Sequence, residues 1–234
     1  MRLRDGWAAA RRALLEIVYP EGAVCMGCGK ISDGKALCPA CRKELREGYL
    51  LDSWDFRDLG GVPAWSVRPH RDLPRRLVLR LKHHAEAPAA AELAALLRLR
   101  PDFFLPVAPG TVVTWVPAPK ARIRDRAVDH GRILAEAAAR ELGLPCRQLL
   151  IRRGNDRPQA TLSMERRQQN LRNAFVPGER ISFPVLLVDD VLTTGATARR
   201  CADALRQGGA EEISVLTFTR AVGGQGKADG SRAG

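Results

Sequence analysis

The sequence is poor in aromatic residues. Two Tyr, four Trp and six Phe stand among 234 residues, so a core has to be built from Leu, Val, Ile and Ala. The same scarcity argues against a surface that grips nucleic acid by stacking bases on rings. Also missing is any apolar run near the ~18 residues that a membrane-spanning helix needs. The best candidate, Trp7 to Tyr19, is interrupted by Arg11, Arg12 and Glu16 and reads as an amphipathic helix stopped by Pro20. No secretory leader is visible, and a cytoplasmic location is expected. No GxxxxGK[ST] string occurs, which excludes a Walker-type nucleotide loop. There is no internal repeat.

Lysine is scarce as well, yet the chain is strongly basic. It has 32 Arg against 6 Lys and a formal net charge of +12. Abundant Ala, Gly and Pro accompany the arginines, so part of the excess reflects compositional bias. The rest points to a polyanionic partner, either nucleic acid or a phosphate-rich small molecule.

Four of the six cysteines are grouped as Cys25-x2-Cys28-x9-Cys38-x2-Cys41. Paired knuckles in a chain without a secretory leader argue for metal rather than disulfides. Four thiolates suit tetrahedral Zn2+, and with every position filled by protein the ion is expected to be structural. A module of this size cannot bury enough core to fold alone, and metal binding can substitute. Cys146 and Cys201 sit in apolar settings and are expected to be buried thiols.

The pattern divides the chain into a helix and cysteine module over 1–49, an α/β domain over 50–222 and a Gly/Ser/Ala-rich tail over 223–234, expected to be disordered. Within the domain, Trp65-Ser66-Val67, Thr111–Val116, Val185–Val188 and Ile213–Phe218 read as strands. Helices are expected from Asp72, acting as the cap, with Leu73, Leu77, Val78 and Leu81 on one face, and over Ala89–Leu99. Two more are expected, from about Asp129 to Leu142 and from about Thr197 to Gln207. Alternating strands and helices imply an open, mostly parallel sheet with flanking helices.

The densest chemistry lies in Val185-Leu-Leu-Val-Asp-Asp-Val-Leu-Thr-Thr-Gly-Ala-Thr197. A uniformly apolar strand leads to Asp189 and Asp190, expected to close it at the edge where open α/β sheets bind ligands. Ionised carboxylates can accept both hydroxyls of a ribose diol. Thr193, Thr194, Gly195, Ala196 and Thr197 then open a helix. Its N-terminal N–H groups and partial positive charge suit a phosphate. Gly195 lets backbone approach closely. An anion at one end and a diol at the other describe a ribose 5-phosphate.

Residues 185–197 resemble the phosphoribosyl-diphosphate motif of type I phosphoribosyltransferases. More narrowly, the chain is similar to the ComF family, also described as GntX-like or amidophosphoribosyltransferase-like. The resemblance takes in the four-cysteine knuckle, Leu81-Lys82, and Val116-Pro-Ala-Pro-Lys120. It continues through Pro158-Gln159, Leu162, Arg166, Asn170 and Phe175. One block departs. The family's R-G-F-N/D-Q/H-A is Arg126-Ala127-Val128-Asp129-His130-Gly131 in this chain. Asp129 and His130 fit, but the glycine is gone where the pyrophosphate loop of the fold lies.

The resemblance implies a type I phosphoribosyltransferase fold with a small N-terminal four-cysteine zinc module. It implies a site for phosphoribosyl diphosphate at Asp189, Asp190 and Thr193 to Thr197, with Mg2+ on the diphosphate. It further implies work on single-stranded DNA beside the DNA-uptake machinery of natural transformation. The alternative is a metabolic phosphoribosyltransferase that passes phosphoribosyl to a base or amine and releases pyrophosphate. A regulator that binds the diphosphate without turnover is a third reading. No general base is identified. Lys120, Arg122, Arg124 and Arg126 alternate after a strand end and could steer pyrophosphate or a nucleic-acid backbone; a solvated turn is the bland reading. His83 and His84 read as surface residues. His130 could approach the site or pack in the core.

Overall fold

The structure is a computed structural model that describes residues 23–51, 55–99, 107–119, 128–153 and 174–221. The expected helix over Trp7–Tyr19, the basic turn with Lys120, Arg122, Arg124 and Arg126, the Pro158–Asn170 run and the tail all lie outside them.

The elements, in chain order, are α1 (Pro39–Leu51), β1 (Asp55–Asp58), β2 (Pro63–Pro69), α2 (Asp72–His84) and α3 (Ala87–Ala94). A short 3-10 turn, Ala95–Arg98, continues α3. Then come β3 (Val112–Trp115), α4 (His130–Leu142), β4 (Leu150–Arg152), β5 (Phe175–Pro177), β6 (Val185–Leu192), α5 (Ala196–Gln207) and β7 (Ile213–Arg220). Five strands form one sheet in the order β1-β2-β7-β6-β3. β2, β7, β6 and β3 run parallel, and β1 closes one edge antiparallel to β2. β4 and β5 make a separate antiparallel pair.

The uniform apolarity of β6 follows from burial on both faces. Leu186 and Val188 pack into a cluster with Leu77 and Leu81 of α2 and Leu134 of α4. Val185 and Leu187 pack into the opposite cluster with Ala198, Cys201 and Leu205 of α5. Full burial of each such Leu is worth about 2 kcal/mol, which outweighs any local preference at these positions. The parallel crossovers bring the C-terminal ends of β2, β7, β6 and β3 to one edge.

Helix α4 begins as expected: the Asp129 side chain accepts from the N–H groups of Gly131 and Arg132, and Gly143 ends the helix in the left-handed region. Three expectations need correction. Asp72 does not cap α2. Arg71 holds the cap position without its side chain capping the helix, and Asp72 lies in the first turn at φ 49°. The helix expected over Ala89–Leu99 starts at Ala87 and tightens to 3-10 geometry at Ala95. Asp189 and Asp190 do not close their strand either. β6 runs on to Leu192, paired with Arg220 of β7. Pairing with a long neighbour kept the ladder intact past the two polar residues.

Among the described residues, no helix is long and apolar enough to cross a membrane.

Candidate functional site

The loop after β6 is a tight strand-to-helix connection. Gly195 sits at the head of α5 in the left-handed region, φ 73°. A Cβ there would lie 2.6 Å from Leu59 Cδ2, in the turn between β1 and β2. Glycine is therefore required twice, by the backbone and by the neighbour. Thr194 Oγ1 accepts from the Ala196 N–H at 3.3 Å, and the Arg199 guanidinium donates to the Thr194 carbonyl at 3.1 Å. Thr193, Thr194 and Thr197 are exposed. Gly195 at the cap position brings no side chain of its own; the Ala196 N–H is taken by Thr194, and the Thr197 and Ala198 N–H groups that follow have no intrahelical acceptor, as a phosphate site requires.

The two carboxylates have unlike surroundings. Asp190 follows Leu186 and Val188 toward α2 and α4, and only 6% of it is exposed. Lys82 Nζ of α2 donates to Asp190 Oδ1 at 2.9 Å, and His130 Nε2 of α4 lies 3.5 Å from Oδ2. Burial opposes ionisation of Asp190, but His130 and Lys82 outweigh it and hold the carboxyl below the usual carboxylate range. Asp189 is half-buried. Its Oδ1 accepts from the Asp190 N–H at 2.9 Å. Burial, then the Asp190 charge, push its pKa up to about 7. Like charges side by side cannot both ionise freely. His130 and Lys82 therefore favour the Asp190 anion, while burial and that anion favour the protonated form of Asp189.

Around them the sheet edge is hydrogen-bonded. Thr219 Oγ1 of β7 donates to the Asp190 carbonyl at 3.0 Å and also meets His70 Nδ1 at 2.9 Å. A hydroxyl has one proton, so Thr219 accepts from His70 Nδ1–H. His70 follows β2; burial, then Lys82 and Arg75, hold its pKa below the ordinary value. Asp129 fixes His130: its Oδ1 takes the Gly131 N–H at 3.0 Å while its Oδ2 takes Trp115 Nε1 at 3.0 Å. The start of α4 is thereby pinned to the end of β3.

Motif reading found the acids and the loop, matched Leu81-Lys82 without giving Lys82 a role, left His130 between site and core, and missed His70. The signal was available in the rule that each parallel strand's carboxyl end borders the ligand site. His70 follows β2, and Lys82 closes the apolar Leu73-Leu77-Leu81 stripe that packs on that edge. His83 and His84 are exposed as expected.

The second site is the four-cysteine cluster. Ligand sulfurs of Cys25, Cys28, Cys38 and Cys41 all lie within 4.8 Å of one another. Cys28 Sγ and Cys38 Sγ are 3.8 Å apart, which matches the ~3.8 Å edge of a sulfur tetrahedron around Zn2+ at 2.3 Å. The Gly27 and Cys38 N–H groups donate to Cys25 Sγ at 3.3 and 3.2 Å. Burial of Cys25 opposes the thiolate, but N–H groups of Cys38, Cys28 and Gly27 prevail and bring its pKa down to about 6. Burial, then its sulfur neighbours, push the Cys41 thiol up. Packed thiols in this state fit a cation and fit each other poorly. The cluster can hold a metal such as zinc. Of the remaining cysteines, Cys201 is buried as expected, whereas Cys146 is only half-buried.

No protein-family model matches the chain. Competence protein F of Haemophilus influenzae is 35% identical over 113 residues, 45% of this chain and 49% of that protein, so this match spans about half its length. The DNA utilization protein YhgH of Salmonella typhi is 30% identical over 224 residues, 89% of this chain and 95% of that one. Among solved structures, glutamine phosphoribosylpyrophosphate amidotransferase from B. subtilis overlaps 64% of this chain and 28% of its own, at 22% identity and TM-score 0.37. Orotate phosphoribosyltransferase of Mycobacterium tuberculosis overlaps 76% and 83%, at 22% identity and TM-score 0.33. With overlaps this loose, the fold is assigned from strand order, the loop after β6 and the sequence relatives. It is a type I phosphoribosyltransferase fold joined to a four-cysteine module, and the chain belongs to the ComF family of Competence protein F and YhgH.

Proposed function

We propose that the chain binds a phosphoribosyl ligand, phosphoribosyl diphosphate with Mg2+, at Asp189, Asp190 and Thr193 to Thr197, and uses that site in handling single-stranded DNA inside the cell. The observation that carries the reading is the juxtaposition of the α5 start at Gly195, which brings no side chain to the cap, with the neighbouring carboxylates of Asp189 and Asp190 at one sheet edge. The α5 N–H groups and the threonine hydroxyls bind a 5-phosphate. Asp190, held ionised, and Asp189, once it releases its proton, accept ribose hydroxyls. Bound Mg2+ would supply positive charge to the diphosphate. The name of YhgH, a DNA utilization protein, supplies the DNA context, and the net charge of +12 supports an anionic polymer as partner. Zn2+ at Cys25, Cys28, Cys38 and Cys41 completes the N-terminal module. Lys120, Arg122, Arg124 and Arg126 are proposed contacts for pyrophosphate or DNA.

A metabolic transferase is the second reading, favoured by the completeness of residues 185–197. Calorimetry with phosphoribosyl diphosphate and Mg2+ tests the shared site. Asp189→Asn should weaken binding roughly tenfold or more, as for loss of a charge-assisted hydrogen bond. Asp190 is a poorer probe, since replacing it also disturbs Lys82 and His130, which hold its two oxygens. Equal binding by Asp189→Asn and parent would remove the site. Salt-dependent DNA binding, with a log–log slope near −0.7 per phosphate contact, supports the DNA reading; pyrophosphate release on a free base, without DNA binding, supports the transferase.

A further inference from the structure

The four-cysteine module and the acidic pair are joined by one helix. The first knuckle lies against the start of α2: a Cβ on Gly27 would stand 2.8 Å from Cys41 Sγ and 2.9 Å from Leu73 Cδ1. Cys25, Leu37, Cys41 and Leu45 share a single buried cluster with Leu73, Leu77 and Leu81. A two-pronged ion pair, Arg42 Nε to Glu92 Oε2 at 3.2 Å and Arg42 Nη2 to Oε1, ties α1 to α3. At the far end of α2, nine residues and ~14 Å on from Leu73, Lys82 Nζ is 2.9 Å from Asp190 Oδ1.

The start of α2 has little local support. No side chain caps it, and Asp72 occupies a left-handed conformation that L residues avoid. What fixes this end is tertiary packing, and the cysteine module is part of that packing. Four-cysteine modules of this kind exchange between a folded metal-bound state and an unfolded metal-free one. That supplies the two-state element a coupling between distant sites requires.

We propose that Lys82 is a positioning residue for Asp190, and that α2 makes its placement conditional on metal in the four-cysteine module. Metal occupancy thereby sets affinity at the sheet edge. The proposal rests on the phosphoribosyl reading of that edge. With the module folded, Lys82 and His130 each hold one oxygen of Asp190, and each oxygen keeps a lone pair for a ligand hydroxyl. With the module loosened, Leu73 and Leu77 lose cover, α2 frays from its start, and the carboxylate loses one of its two anchors.

The test uses the full chain and ribose 5-phosphate, a probe that needs no Mg2+ and so tolerates a chelator. Hydrogen exchange is followed in α2, β6 and α5, with and without zinc. Stripping zinc is expected to raise exchange across Leu73–His84, leave β6 and α5 protected, and weaken the sugar phosphate roughly tenfold. Lys82→Met with zinc bound should weaken it equally while α2 stays protected. Stripping zinc from Lys82→Met should then change affinity by less than about twofold, the non-additivity expected of one path. Gly27→Ala, which keeps every ligand but presses on Leu73 and Cys41, should weaken binding in the parent and not in Lys82→Met. It also answers the question if stripping zinc unfolds the whole chain.

An unchanged α2 on stripping zinc, or an equal further loss of affinity in Lys82→Met, would overturn the proposal. A parent chain that binds no ribose 5-phosphate refutes the site reading instead, and the exchange of α2 still decides whether the module supports it.

Discussion

The two sites of this molecule solve the problem of crowded like groups in different ways. In the cysteine module, four sulfurs lie within 4.8 Å of one another and can hold a metal such as zinc. At the sheet edge, two neighbouring carboxylates are served from inside: Lys82 and His130 hold Asp190, and burial with the Asp190 charge raises the pKa of Asp189. On the proposed reading the module depends on a metal for its fold, whereas the sheet edge is held by its own side chains. The difference also sets where each is encoded. The module is complete within Cys25–Cys41. The sheet edge draws on β2, α2, α4, β6, α5 and β7.

The largest effect should come from breaking the module. Cys25 receives the N–H bonds of Gly27 and Cys38 and is fully buried, so Cys25→Ser removes a ligand where nothing can replace it. Structural zinc binds with roughly 10–16 kcal/mol of apparent free energy, far more than any single hydrogen bond. Elemental analysis should fall from one zinc per chain to none, and calorimetric melting should move to lower temperature. Full zinc content in Cys25→Ser would mean that the cluster is not the metal site.

How much could be read from sequence follows the same divide. Cys25, Cys28, Cys38 and Cys41 were legible because their spacing alone dictates their meeting. β6 and the Thr193–Thr197 turn were legible because an apolar strand, a glycine and a helix start are local signals. Lys82 stood in a matched block, but its partner could not be read: Asp190 is more than a hundred residues away, and only the parallel crossovers bring α2 over the end of β6. His70 has no motif of its own. The Asp72 cap failed because a capping residue is recognised by type, while packing of Leu73 against the cysteine knuckle decided the actual helix entry. β1, β4 and β5 are three or four residues long, too short for periodicity to register.

An intermediate effect should come from Gly195, which belongs to the sheet-edge site but is constrained by backbone, as the cysteine knuckles are. Gly195→Ala places a methyl 2.6 Å from Leu59 Cδ2 and strains a left-handed residue. The expected loss is about 2 kcal/mol in urea unfolding. The double variant Gly195→Ala with Leu59→Ala separates the causes. Contact strain should be relieved in it, and the backbone share of about 1 kcal/mol should persist, on top of the separate cost of truncating a buried leucine. An unchanged stability in Gly195→Ala would mean that Leu59 yields freely and that the loop is less tightly set than its geometry indicates.

The smallest expected effect is the most specific to the comparison, because it turns on one carboxylate of the sheet edge, Asp189. Asp189 has a folded pKa of about 7, raised first by burial and then by Asp190. Unfolded, it returns to the ordinary value of 3.8. Between these values the folded chain carries a proton that the unfolded chain has released, so stability from this group is present at low pH and is lost as pH rises through that window. Asp190 is lowered instead, and its contribution is lost as pH falls below the ordinary carboxylate value, outside this window. Ligand binding should run the other way. Accepting a ribose hydroxyl favours the ionised Asp189, so affinity should rise as pH passes about 7, by roughly tenfold per unit at most below the midpoint. A phosphate's second proton leaves near pH ~6, and His70, His130 and Lys82 stand close by, so the parent profile alone is not decisive. Asp189→Asn removes the one group and leaves the rest. In that variant both the fall in stability and the rise in affinity across this window should flatten together. If stability flattens while the affinity profile keeps its full rise, Asp189 is a buried acid of the fold and takes no part in holding the ribose.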